Sequence, residues 1–130
     1  MEENEVLDIP EIIVNAKNIE EPGVLEALIP YIVGSNQGDY NITKCIEELN
    51  ELATVLGQYI NKKGSKKQPS KQEIIDEIGD VKCRLEFILI PAAGIFKEED
   101  DAHTAVEARA GYKIMKYYDF VREGKYIGKI

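Results

Sequence analysis

Two acidic runs, Glu47-Glu48-Leu49-Asn50-Glu51 and Glu77-Ile78-Gly79-Asp80, hold the residues of this chain best suited to chemistry. Each has helical character. Glu48 and Glu51 are spaced i, i+3, as are Glu77 and Asp80, and side chains at that spacing are neighbours with Cβ atoms about 5–6 Å apart. If the two helices pack together, four carboxylates converge. Unit charges ~5 Å apart repel by roughly 3 kcal/mol at an effective dielectric of about 20, so such a group calls for a counter-ion. A hard divalent cation, Mg²⁺ or Mn²⁺, suits an all-oxygen ligand set. The competing interpretation is two solvated helix faces, the usual fate of acidic runs. Against it, Ile46 and Leu49 flank the first run and Ile78 and Val81 the second, which sets acids at the edge of an apolar stripe on both helices.

The elements that must position these acids follow from periodicity. Residues 1–20 leave two options: Ile12, Ile13 and Val14 favour a strand or extended arm, and a short helix is the alternative. A first helix opens at Pro22 and stops near Gly34, with Leu25, Leu28, Ile29 and Ile32 at helical spacing. Pro30 lies inside it and is expected to kink or end it. A second helix, capped by Asp39 or Asn41, carries the apolar stripe Ile46, Leu49, Ala53, Leu56 and Ile60 and ends near Gly64. The lysine-rich segment 61–70 connects it to a third helix. That helix starts at a capping box, Ser70 with Glu73 three residues on, and its stripe runs Ile74, Ile78, Val81, Leu85, Ile88 until Pro91 stops it. A fourth helix spans residues 102–122, closed by Gly124, with Gly111 as a weak point. The expected fold is all-α, a bundle of about four to five helices in a single domain, 1–130, with an N-terminal arm over residues 1–20.

Composition narrows the partners. A net charge of −8 over 130 residues argues against non-specific binding to nucleic acid or anionic membranes, both of which need a basic surface. An acidic protein still binds nucleotides where metal ions bridge carboxylates to phosphates. The start of the chain has neither the basic flank nor the apolar run of a signal peptide. The longest apolar stretch, residues 87–96, is interrupted by Pro91 and far too short to span a bilayer. Cys45 and Cys83 are too few for a disulfide framework or a zinc site, so a reducing cytoplasm is the expected location.

The order and spacing of the acids resemble a family signature. E-E-x-x-E, a gap of about two dozen residues, then E-x-x-D marks the all-α nucleoside triphosphate pyrophosphatases, which include MazG proteins, dimeric dUTPases and phosphoribosyl-ATP pyrophosphatase. Here the halves are EELNE (47–51) and EIGD (77–80), and the stretches EELNELATVLG and EIIDEIGDV are similar to small phage and bacterial MazG-like proteins. The likeness covers about residues 42–90. It implies hydrolysis of a nucleoside triphosphate between its α and β phosphates, with Mg²⁺ or Mn²⁺ held at Glu48, Glu51, Glu77 and Asp80. It implies for Glu47 a lesser role, orienting a water or an outer-shell group. It further implies a bundle completed by oligomerisation as a homodimer or homotetramer, and a place in nucleotide-pool control, in a cell or a phage. The chain departs from the pattern after E-x-x-D, where the family helix is strongly apolar and this one reads Val81-Lys82-Cys83-Arg84-Leu85-Glu86.

Cations that could meet phosphate are Lys44, one turn before Glu48, and Arg84, one turn after Asp80. Lys113 and Lys116 of the last helix occupy a segment where the family often carries basic residues. An exposed, solubilising charge is the ordinary alternative for each. His103, the single histidine, reads as a polar residue at a helix start, and Cys45 and Cys83 as small core filler. Tyr112, Tyr117, Tyr118 and Phe120 fit bundle packing or subunit contact better than base stacking. Two rival functions remain open on the residues alone. One is a non-catalytic helical module whose acidic face docks a basic partner; the other is phosphoribosyl-ATP hydrolysis.

Overall fold

The computed structural model describes residues 9–18 and 20–124 and is all-helical there. In chain order come α1 (Glu11–Asn15), α2 (Val24–Gly34), α3 (Tyr40–Asn61), α4 (Lys71–Ile88), two 3₁₀ turns (Pro91–Ala93 and Glu98–Asp100) and α5 (Ala102–Arg122). The chain divides into two compact units, Met1–Phe96 with α1 to α4 and Lys97–Ile130 with α5.

Within the first unit the dominant contact is the hairpin of α3 and α4. The pair is antiparallel, because Cys45 lies near Arg84 while Glu51, farther along α3, lies near Glu77, earlier along α4. Its seam has a regular register. On α3 the inward residues are Asn41, Cys45, Glu48, Leu52, Val55 and Tyr59; on α4 they are Ile74, Glu77, Val81, Arg84 and Ile88, and all are buried or half-buried. Their alternating spacing of three and four is the coiled-coil repeat that keeps one stripe against the partner helix.

This corrects the stripe expected on α3. Ile46, Leu49, Ala53, Leu56 and Ile60 share a face, but that face is exposed: Ile46 is 53% accessible and Ile60 71%. The seam uses the positions one residue earlier, about 100° round the helix. On α4 the expected stripe is split. Ile74, Val81 and Ile88 pack inward, whereas Ile78 and Leu85 are exposed.

The starts and stops follow local chemistry. Ser70 is extended, and its side-chain oxygen accepts a hydrogen bond from the Glu73 amide at 3.1 Å, closing one orphan donor of α4. Ser70→Ala is expected to cost about 1 kcal/mol, a fall of a few °C in Tm by thermal denaturation. An unchanged Tm would show that α4 is held by its packing and not by its cap. Pro91 opens the 3₁₀ turn that follows α4, as its missing amide requires. Helix α2 continues through Pro30 to Gly34, so the proline neither ends it nor sets its boundary.

The α2 helix begins two residues later than Pro22 suggests. Gly23 precedes it in a left-handed conformation, φ 86°, and a Cβ there would lie 3.0 Å from the Ile12 side chain of α1. Residues 11–15 are thus helical and not an extended arm; the rest of the arm, residues 1–8, lies outside the described residues. Asn41 is also reassigned. It does not cap α3 but is buried in its first turn, donating to the Val33 carbonyl at 3.3 Å and accepting from Asn36 at 3.2 Å. Asn41 thereby ties α3 to the end of α2.

The apolar core of this unit gathers beneath α2. Val33, Phe87 and Ala93 are buried together, with Ile29 and Ile90 packed against them. The α5 unit has the boundaries expected from its sequence, Ala102–Arg122, followed by Gly124 at φ 79°. No helix among the described residues is long and apolar enough to cross a membrane.

Candidate metal centre

The seam of the hairpin brings the acids together. Glu48, Glu51 and Glu77 each offer a carboxylate oxygen, and the three oxygens lie within 4.8 Å of one another. Glu48 and Glu77 occupy core positions of the helix pair, where an apolar side chain is the rule. Glu51, one turn beyond Glu48, leans over the seam from an exposed position. The Oε2 atoms of Glu48 and Glu77 are buried with no hydrogen-bond partner. Buried carboxylate oxygens without donors are costly and uncommon.

The electrostatics follow from that placement. Burial is the main cause that pushes the Glu48 carboxyl above its ordinary range; the Glu51 charge, a side-chain hydrogen bond with Glu51, and the charges of Asp80 and Glu77 push the same way. The Glu77 carboxyl is likewise raised by burial first, then by Glu51, Asp80 and Asp76. A folded-state pKa raised above the unfolded value means that the metal-free fold takes up protons the unfolded chain does not. The stability of the metal-free protein is then fully expressed below the ordinary carboxylate range and falls as pH rises through the raised values. In chelator, Glu48→Gln is expected to flatten the fall of Tm as pH rises above the ordinary carboxylate value of about 4, relative to wild type. Parallel curves would show that Glu48 titrates alike in both states.

Asp80 stands beside this group and not in its closest triad. It is exposed, yet its charge reaches both Glu48 and Glu77. Glu47 lies outside the three-acid group. It pairs with Lys44 at 3.0 Å, and that contact holds the Lys44 ammonium above its ordinary value. An open-sided cavity of about 280 Å³ lies beside the acids, lined by Asn50, Glu51, Thr54, Val55 and Glu77. Thr54 and Asn50 carried no signal in the sequence, since neither is acidic; helical spacing would have reached both, Thr54 three residues after Glu51 and Asn50 three after Glu47.

The basic residues are placed less uniformly. Lys44 lies 5.6 Å from the Tyr40 ring centroid, and Arg84, a seam residue, lies 5.6 Å from that of Phe87. Lys113 lies over Tyr117 at 4.9 Å, on α5 with Lys116 in the second unit. Cys45 is buried, as expected of a small core residue, and burial raises its thiol pKa. Cys83 is not core filler: it is exposed and lines a groove of about 390 Å³ between α2 and α4. His103 stands in the first turn of α5.

The three carboxylates suit a small divalent cation in ligand type, since each is an oxygen donor and two carry an oxygen with no other partner. No protein-family model, curated protein or solved structure matches this chain.

Proposed function

We propose that this protein is a metal-dependent nucleoside triphosphate pyrophosphohydrolase of the MazG-like all-α type, cleaving a nucleoside or deoxynucleoside triphosphate to the monophosphate and pyrophosphate. The observation that carries the proposal is the pair of orphaned carboxylate oxygens on Glu48 and Glu77, set within a three-acid group at the seam of two helices. An acidic docking face needs its charges in water, where a basic partner can reach them. Here two of the acids are withdrawn into a helix–helix contact at an electrostatic cost that a bound cation relieves without protonating them.

Glu48, Glu51 and Glu77 would hold the ion, with Asp80 close enough to share its charge or to orient a bound water. Bound Mg²⁺ or Mn²⁺ would neutralise the polyphosphate and polarise the phosphorus under attack. The protein's part is positioning. The α3/α4 seam holds the acids rigidly, and the cavity bounded by Asn50 and Thr54 leaves room for a phosphate chain beside Glu51. Lys44, Arg84, Lys113 and Lys116 are candidates for phosphate contact. Glu47, tied to Lys44, would act through that lysine and not on the ion.

The test is pyrophosphate release from a panel of ribo- and deoxyribonucleoside triphosphates and phosphoribosyl-ATP, with Mg²⁺ or Mn²⁺. Turnover confined to phosphoribosyl-ATP would replace the reading with the sister activity. Absence of turnover on every substrate, together with no metal-induced rise in Tm, would refute it and return the acids to a docking role.

A further inference from the structure

The connection between α3 and α4 closes the end of the hairpin, beyond the acidic group. Residues 52–72 hold five lysines, Lys62, Lys63, Lys66, Lys67 and Lys71, and no Asp or Glu, in a chain whose net charge is −8. All five are exposed. Among the described residues none of them forms an ion pair; Lys63 lies over the Tyr59 ring at 5.9 Å. The stability of the fold does not explain the cluster. Adjacent like charges repel, and although Lys62 and Lys63 follow the C-terminus of α3, where a cation is favoured, Lys71 opens α4, where the helix dipole disfavours one.

The loop that carries these lysines is tied into a fixed shape. The Ser65 amide donates to the Lys62 carbonyl at 2.9 Å and the Gln68 amide to the Ser65 carbonyl at 3.2 Å. Gly64 is left-handed, φ 78°, and its amide donates to the Gln68 side-chain oxygen at 3.0 Å; the Lys67 amide donates to the Ser65 hydroxyl oxygen at 3.2 Å. Pro69 is buried and anchors the loop to the hairpin. These contacts use the acceptor oxygens of Ser65 and Gln68 and leave the hydroxyl hydrogen of one and the amide hydrogens of the other to donate. The loop therefore turns cations and hydrogen-bond donors outward, a surface made to receive an anion with many oxygens.

We propose that this lysine loop binds the phosphodiester backbone of a nucleic acid, without reading its bases. Phosphate contacts alone supply non-specific binding, and no side chain of the loop offers a stacking platform, since the neighbouring Tyr59 ring is engaged by Lys63. The net negative charge opposes a whole-surface contact and not this local one. At 1.5 Å per residue, Lys62 lies about 17 Å past Glu51 along α3 and Lys71 about 9 Å before Glu77 along α4, at or beyond the screening length of about 8 Å at physiological salt. An anionic bilayer fits less well. Stable membrane attachment of a basic segment needs a second, apolar signal, and the only apolar side chain of residues 61–70, Pro69, is buried. The proposal is independent of the catalytic reading: it rests on the hairpin's end and would hold if the acids bound no metal.

Fluorescence anisotropy of a labelled single strand of about 20 nucleotides, titrated with the full chain in chelator at about 25–200 mM salt, tests it. The wild type is expected to bind strands of different sequence alike, with Kd of about 10⁻⁴–10⁻⁶ M and a slope of log K against log salt of about −3 for four phosphate contacts. The quadruple variant Lys62→Gln/Lys63→Gln/Lys66→Gln/Lys67→Gln should bind at least about 10-fold more weakly with a slope near zero, and the matching set of Lys→Arg changes should restore both. Lys17→Gln/Lys97→Gln, which removes exposed charge elsewhere, should change Kd by less than about two-fold. Should the quadruple variant fail to fold, Lys62→Gln and Lys67→Gln decide singly, each expected to reduce the slope by about 0.7. Absence of binding at about 100 µM protein and about 25 mM salt would overturn the proposal, as would binding unchanged in the quadruple variant. Sedimentation with phosphatidylserine vesicles, without binding to the oligonucleotide, would overturn it too and make an anionic bilayer the partner.

Discussion

Glu48→Gln is expected to lose metal-dependent nucleotide hydrolysis by at least about 10²-fold, beyond the 10–100-fold typical of removing an outer-shell partner. The substitution keeps the shape of the side chain and removes its charge, so it separates electrostatics from packing. Glu48 sits in the helix seam with one carboxylate oxygen buried and unpaired, and it shares the site with Glu51 and Glu77. A neutral amide there offers a weak oxygen ligand and no charge to balance the ion. Glu77→Gln should behave alike for the same reason.

The two variants carry a second, opposite signature. Without metal, each removes a charge that is both desolvated and repelled by its neighbours, so the metal-free Tm should rise above wild type. With metal, the wild type gains about 2.7 kcal/mol at an ion concentration a hundred times Kd, a shift on the order of 10 °C, and the variants gain little. Glu47→Gln, whose carboxylate is paired with Lys44 and does not belong to the three-acid group, should lose no more than a few-fold in activity. Steady-state kinetics and melting curves with and without chelator read all of these. Equal losses at positions 47 and 48 would show that the acids act as a general field and not as ligands. A metal-free Tm that drops in Glu48→Gln would show that the carboxylate is satisfied in the fold without an ion.

Phe87→Ala is expected to destabilise the first unit by about 3–5 kcal/mol, a large share of the roughly 5–15 kcal/mol that holds a typical domain together. Phe87 is the largest side chain of the buried cluster with Val33 and Ala93, and it joins three elements: α2 through Val33 and Ile29, α4 itself, and the 3₁₀ turn at Pro91–Ala93. Few other residues are buried in this unit, so the lost contacts have no redundant neighbours to replace them. The Arg84 guanidinium over the ring adds a cation–π contact of about 0.5–1 kcal/mol that the alanine also loses. Chemical denaturation should show a lower midpoint at unchanged m. Leu25→Ala, at a position 60% exposed on α2, is the control and should cost well under 1 kcal/mol. Similar losses at the two positions would mean that the α2 surface is covered in solution and that the Phe87 cluster is not the main core.

How legible all this was depends on the element. Ser70 and Glu73 announced the start of α4, and Pro91 its end, because caps and prolines act through their own backbone neighbours. The bounds of α5 follow equally from local signals. Gly23 could not be read as the entry to α2, because what demands a glycine there is the approach of Ile12 from another helix as well as the backbone angle. Asn41 resembled a cap by type and position; only the end of α2 lying above it makes it a buried tie.

The acidic site shows the same division. The residue types and the i, i+3 spacing determined that Glu48 pairs with Glu51 and Glu77 with Asp80 along each helix, since one turn of helix guarantees it. Which stripe of α3 meets α4 was not determined. Two heptad stripes lie one residue apart: an aliphatic one through Leu49 and Leu56, and a mixed one through Glu48, Leu52 and Val55. Hydrophobic periodicity favours the first. The tertiary structure uses the second between its own helices, the stripe that also carries Asn41, whose side chain bonds the Val33 carbonyl at the end of α2. That choice draws Glu48 and Glu77 into one seam and turns the aliphatic stripe outward. Local spacing settles which groups share a helix face; the direction in which that face points is a property of the whole packed chain.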